Sequence, residues 1–158
     1  MIGVYDSGLG GLTGLHYLRQ RMPSADLLYL GDTVHLPYGE KPPALLRKYA
    51  EDAFSFFGQR AVSALVVACG TISTVVLETH PPKTDFPILG VARPAAMRLR
   101  ELRCRRIAVL ATAATVASCG YVRLLRELDA EVLQLACPHL VPIAESGTAL
   151  PSPQLMRL

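Results

Sequence analysis

Short apolar runs alternate with longer segments of helical period along this chain of 158 residues. The runs "IGVYD" (2–6), "LLYLGD" (27–32), "ALVVAC" (64–69), "PILGV" (87–91), "IAVLAT" (107–112) and "EVLQLAC" (131–137) read as strands, most of them buried on both faces. Between them Leu12, Leu15, Leu18 and Met22 recur at three and four residues, as do Leu45, Tyr49, Ala53 and Phe56. Both sets predict helices that lay an apolar stripe on a sheet. Further helices are expected over about 72–79, 94–103 and 116–128. Strand and helix alternating in this way specify an α/β fold, a parallel sheet with flanking helices. Pro94, suited to a first helical turn, marks the best internal boundary. Residues 1–93 are expected to form a first α/β unit containing Cys69 and residues 94–147 part of a second. Residues 148–158, with two prolines and no period, read as a tail.

Composition narrows the class. The apolar fraction is 51% and the charged fraction only 18%, against about 25% charged in ordinary soluble domains. A surface this short of charge implies apolar area meant for other protein, so a homo-oligomer or a further segment is expected to cover it. The one dense basic run, "RLRELRCRR" at 98–106, has no interleaved aromatics and suits a solvated helix face, so nucleic acid is not an expected partner. The cysteines at 69, 104, 119 and 137 show no CxxC spacing and no histidine-rich companion, which argues against a metal site. Free thiols point to a reducing compartment. Neither a cleavable leader nor an apolar run of eighteen residues is evident, so the cytoplasm is expected and a membrane is not.

In an open parallel sheet, ligands bind beyond the carboxyl ends of the strands. Asp6, Ser7 and "GLGGLT" follow the first strand, "GDTVHLPYGEK" the second, Cys69, Gly70 and Thr71 the third, and Thr112 with Thr115 the fifth. Each has a plainer reading. Asp6, Ser7, Thr112 and Thr115 could cap helices, "LPYGEKPP" could be an ordinary loop, Cys69 could be a small buried hydrophobe, and His35 and His139 could be hydrogen-bonded loop residues. The glycines at 8, 10, 11 and 14 miss the G-x-G-x-x-G spacing, which argues against a dinucleotide site. The clusters nevertheless converge on one sheet edge. Together they offer a thiol, a carboxylate, hydroxyls and backbone N–H groups. A thiol at a helix N-terminus is expected to be acidified from about 8.5 toward working pH, and the surrounding donors to bind a carboxylate.

The stretches "IGVYDSGLGGLTGLHYLRQRMPSADLLYLGDTVHLPYGEK", "ALVVACGTIS", "PILGVARPA", "IAVLATAATVASCGYVRLL" and "LACPHLVPIAESG" together resemble the cofactor-independent glutamate racemases of the aspartate/glutamate racemase superfamily. The resemblance implies two similar α/β units with the site between them, the chain supplying the first unit and part of the second. It also implies a two-thiol proton transfer that interconverts L- and D-glutamate for peptidoglycan, with no pyridoxal phosphate or other cofactor. By position Cys69 matches one catalytic thiol. Asp6 and Ser7 match residues that contact the substrate amino group and assist that thiol, and Tyr38 and Gly39 match a substrate-binding loop. Gly70 falls at a substrate-contacting position, Thr71, Thr112 and Thr115 match hydroxyls around the substrate carboxylate, and Glu145 matches an acidic residue near the site.

Two departures qualify those expectations. The resembling family usually has asparagine where Gly70 stands, and loss of an amide that bonds a charged substrate costs about 1.5 to 3 kcal/mol. Its second catalytic cysteine lies in a G-C-T-H-Y-P type motif, which this sequence lacks, and Cys104, Cys119 and Cys137 do not match it. A polypeptide with a single matching thiol is expected to turn over poorly unless a second chain completes the site. The alternatives are a non-catalytic remnant or binding module that keeps the binding loops, and a related racemase or one-cysteine decarboxylase of the same superfamily.

Overall fold

The structure, a computed structural model, describes residues 1–146. The first four apolar runs become β1 (Ile2–Asp6), β2 (Leu27–Gly31), β3 (Ala64–Val67) and β4 (Ile88–Gly90), all parallel, in the order β2-β1-β3-β4. Helix α1 (Leu12–Arg21) connects β1 to β2, and α2 (Pro43–Gly58) carries the chain back across to β3. The register pairs Asp6 with Gly31, Tyr5 with Val67, and Val67 with Gly90, so the strands end nearly level and the polar clusters share one edge.

The core of this sheet is built from Tyr5, Leu46, Phe54, Phe57, Leu65, Val67 and Ile72, each almost wholly removed from water. Complete burial stabilises by about 1.5 to 3 kcal/mol for each large apolar side chain. The stripe of α2 lies one position away from the expected one. Leu46, Ala50, Ala53, Phe54 and Phe57 face the sheet, while Leu45, Tyr49 and Phe56 are only half-buried. Phe56 packs edge-on against Phe57 at 5.3 Å and is covered by the Arg60 guanidinium at 3.5 Å, an arrangement that suits the rim of a core. The α1 stripe is weaker than expected: no residue of the helix is fully buried, and Leu12 and Met22 are exposed.

After β3 the chain turns at Cys69 into α3 (Gly70–Ile72), which continues as a π-helical turn over Ser73–Leu77 where a regular helix was expected. Ser73 ties that turn down. Its hydroxyl donates to the Val67 carbonyl at 3.2 Å and accepts the Val91 N–H at 3.1 Å. Helix α4 spans Ala92–Glu101, so Pro94 sits inside the first turn rather than at its start. Its missing N–H costs nothing there, because first-turn N–H groups have no intrahelical partner.

The last two runs form β5 (Arg106–Ala111) and β6 (Glu131–Ala136), a separate two-stranded parallel sheet. Here the expectation of burial on both faces fails. Ala108 pairs with Leu133 and Leu110 with Leu135, and this row is exposed, Leu110 by 55% and Leu133 by 65%. The opposite face packs Ile107 and Val109 on Leu125 and Ala96. The single helix expected over 116–128 is two, α5 (Ala113–Ala117) and α6 (Gly120–Leu125), broken at Cys119, whose φ of 51° cannot continue a right-handed helix. A further helix, α7 (Leu140–Glu145), was not foreseen. The expected tail lies outside the described residues.

Candidate active site

The strand order decides where a ligand can sit. From β1 the chain leaves toward β2 on one side, and from β3 it leaves toward β4 on the other. The topological switch point therefore falls between β1 and β3, where outgoing connections part and leave a crevice. Asp6 and Ser7 follow β1, and Cys69 follows β3, so all three stand at that crevice.

Cys69 caps α3 in an extended conformation and is only 4% exposed, with its thiol 3.4 Å from the Ser7 hydroxyl. The expected acidification is not what the structure shows. Burial, reinforced by the charge of nearby Asp6, pushes the thiol up, against smaller lowering by hydrogen bonds from Ser7 and from the backbone at Ile72 and Ser7. The physical reason is that desolvation acts in full on the buried thiol, and the helix N-terminus it caps offsets only part of it, through the Ile72 N–H. Asp6, also buried, uses Oδ2 to accept the N–H groups of Gly8 at 3.1 Å and Gly11 at 3.0 Å. Gly11 permits this closeness, since a Cβ there would lie 2.6 Å from that of Asp6.

A chain of hydroxyls joins the two sheets. Thr71 Oγ1 lies 3.0 Å from Thr112 Oγ1, Thr112 donates to Thr115 Oγ1 at 3.0 Å, and Thr74 Oγ1, which donates to the Gly70 carbonyl at 2.9 Å, lies 3.4 Å from Thr115 Oγ1. Thr112 also caps α5 by accepting the Thr115 N–H. The expected capping role and the place in the crevice thus coexist. Gly39 packs on Thr112 so closely that a Cβ would come within 2.6 Å of it. Glu145, at the end of α7, accepts the Leu9 N–H at 3.3 Å and so closes the far end over the β1 loop.

Between these groups lies a cavity of about 650 Å³, within the range of small-molecule sites. All ten residues singled out from the sequence, Asp6, Ser7, Tyr38, Gly39, Cys69, Gly70, Thr71, Thr112, Thr115 and Glu145, line it. The remaining wall is largely apolar and includes Ile107, Val109, Leu140 and Val141, together with the buried thiol of Cys137. Among the described residues no group of three or more His, Cys, Asp and Glu side chains could hold a metal ion.

Sequence reasoning missed the support beneath the Tyr38 loop. The Tyr38 hydroxyl donates to Asp32 Oδ2 at 2.5 Å and bonds the Tyr5 hydroxyl at 2.8 Å, while His35 Nδ1 lies 2.7 Å from the same Asp32 oxygen. The His35 ring stacks on Tyr49 at 4.2 Å. Burial raises both Tyr5 and Tyr38 well above the usual phenol range, so both remain neutral donors. The available signal was the motif "GDTVHLPYG", in which Asp32 precedes His35 by three residues and Tyr38 by six. On the other side of Asp6, the Tyr29 hydroxyl donates to the Gly8 carbonyl at 2.7 Å and is pushed up to about 12, chiefly by burial.

Fold and crevice define an α/β protein with parallel sheets and a carboxylate-and-thiol site at a strand switch point. Comparison with known proteins gives the relationship: in sequence and fold the chain is a relative of the glutamate racemases. It is 40% identical over 147 residues to the glutamate racemase of Aquifex aeolicus, an alignment covering 92% of this chain and 58% of that protein. The structure of the Thermus thermophilus glutamate racemase in complex with β-chloro-D-alanine superposes with a TM-score of 0.81 at 41% identity, over 92% of this chain and 55% of that one. The Francisella tularensis glutamate racemase in complex with D-glutamate gives a TM-score of 0.88 at 29% identity, over 98% and 59%. No family model matches. The chain thus spans about half the length of the curated relatives it matches.

Proposed function

We propose that the crevice binds glutamate and that Cys69 exchanges its α-proton, the chemistry of a cofactor-independent glutamate racemase supplying D-glutamate for peptidoglycan. The observation that carries this reading is the Cys69–Ser7 contact at the strand switch point, its thiol buried, sharing one cavity with the Thr71–Thr112–Thr115 hydroxyls. An α-proton is far less acidic than a thiol, so abstraction needs donors aimed at the substrate carboxylate in a dry site. Hydroxyls and backbone N–H groups supply those donors, and Asp6, held in place by Gly8 and Gly11, faces the substrate ammonium.

Burial makes Cys69 a strong base once it is ionised and a scarce one before. Ser7 offsets part of that scarcity, because its hydroxyl can turn to donate to the thiolate. Removing the proton from one face exchanges the α-hydrogen. Inversion requires a second donor on the opposite face, from another thiol or another polypeptide.

The reading places the protein in the cytoplasm, supported by four unbridged cysteines, and no helix among the described residues is long and apolar enough to cross a membrane. It includes self-association, supported by the exposed Leu110–Leu133–Leu135 row, and sedimentation equilibrium measures that directly. The decisive experiment incubates the protein with L-glutamate in deuterated water, following α-hydrogen loss by NMR and D-glutamate by a chiral assay. Exchange with inversion supports the racemase, exchange alone a one-sided site, and glutamate binding without exchange the binding-module alternative. A folded protein that neither binds nor exchanges glutamate refutes the proposal.

A further inference from the structure

Gly70 is the residue after the candidate base, the first of α3, and part of the cavity wall. Gly39, elsewhere in the wall, has a visible reason: it lets the Tyr38 loop press on Thr112, where a Cβ would clash at 2.6 Å. Gly70 has no such neighbour. A Cβ built on it meets nothing within 4 Å, and its φ is not in the left-handed region. Glycine is also the poorest helix former after proline. Neither backbone nor packing calls for it. What its missing side chain leaves is room inside the cavity, one residue from the thiol.

The cavity agrees with that room. About 650 Å³ exceeds what a single small amino acid fills, and beyond the polar end its wall turns apolar at Ile107, Val109, Leu140 and Val141. We infer that the site accepts an α-amino acid with a side chain longer than that of glutamate, its extra atoms occupying the space left by Gly70. The inference rests on the proposed α-proton chemistry and names position 70 as the one that sets substrate size.

The test measures binding and α-hydrogen exchange of three probes on the full chain: L-glutamate, L-2-aminoadipate and γ-benzyl-L-glutamate. The expected result is that both longer probes bind at least as well as glutamate. Gly70→Ala and Gly70→Leu should then lower the affinity for the longer probes relative to glutamate by about tenfold or more, the scale of discrimination that a few atoms produce in a pocket. Because glutamate is measured on the same sample, the ratio is independent of the fraction of variant that folds. Wild-type protein that binds glutamate and excludes both longer probes overturns the inference and leaves the proposed function standing. Acceptance of the longer probes with a ratio unmoved by both substitutions overturns the role of Gly70. Failure to bind any probe overturns the proposed function and the inference together.

Discussion

The four-stranded and two-stranded sheets arise from the same alternation of strand and helix, yet they are finished differently. The first is covered on both faces along its inner strand β1, which buries Val4, Tyr5 and Asp6 almost completely, and only its β4 edge leaves a large apolar side chain, Leu89, exposed. The second covers one face and leaves the Leu110–Leu133–Leu135 row in water. Their ion pairs differ likewise. Glu78, nearly buried beside the first sheet, is gripped by two Arg93 nitrogens at 2.8 Å. Arg98, Arg100, Arg105 and Arg106, around the second, reach exposed acids in pairs of the kind that contribute little. The contrast teaches where precise chemistry can be held. Cys69, Asp6 and Tyr38, all buried, stand at the ends of the covered sheet's strands or in the loop after them, while the open one contributes hydroxyls and apolar wall to the cavity.

The comparison can be broken most directly at the thiol. Cys69→Ala should lower α-hydrogen exchange of glutamate by about a hundredfold to ten-thousandfold, the usual contribution of a positioned base, whereas Cys137→Ala on the open sheet should stay within about threefold; NMR in deuterated water reads both. If Cys137→Ala is the more damaging, the division of labour is wrong. Stability should divide in the same way. Leu65→Ala, in the covered core, is expected to cost about 2 to 5 kcal/mol, and Leu133→Ala, at the exposed row, under about 0.5 kcal/mol; urea titrations of the two variants make the check.

Smaller effects sharpen the picture. Tyr38→Phe leaves the Asp32 carboxylate and the Tyr5 hydroxyl without their shared partner and should cost about 1 to 3 kcal/mol, measured by thermal unfolding alongside the KM for glutamate. The pH profile gives the finest test. The thiol is held protonated above the ordinary cysteine range by burial and by Asp6, and in the proposed exchange the thiolate is the reactive form. Exchange should therefore climb with pH, about tenfold per unit, through the ordinary thiol range and onward to the raised value. A rate already flat below that point would mean an acidified thiol and a different electrostatic balance.

How far the sequence reaches follows from what each residue depends on. The six strands among the described residues were readable because a run such as "ALVVAC" is short, rich in β-formers and set between turn signals. The open face of β5 and β6 was not, since an apolar row looks the same whether or not something covers it. The break at Cys119 depends on one positive φ at a residue type that rarely adopts it. All ten candidate residues meet in one cavity because strand ends and short polar clusters are local patterns. The acidity of Cys69 and the Tyr5–Tyr38–Asp32–His35 set are tertiary properties: each needs the depth of burial or a partner from another strand.

The threonine seam has a further property, because each hydroxyl carries one proton and must spend it in one direction. With Thr112 donating to Thr115, Thr71 has to donate to Thr112. A carboxylate arriving at Thr71 would claim that proton for itself, so Thr112 would have to reverse toward Thr71 and Thr115 would lose a donor. The Thr71–Thr112–Thr115 row thus has two possible polarities, and an anion held at Thr71 would favour the one in which Thr112 donates back to Thr71. Occupancy on one sheet would then be written as the orientation of a hydroxyl on the other, with no atom heavier than hydrogen having to move.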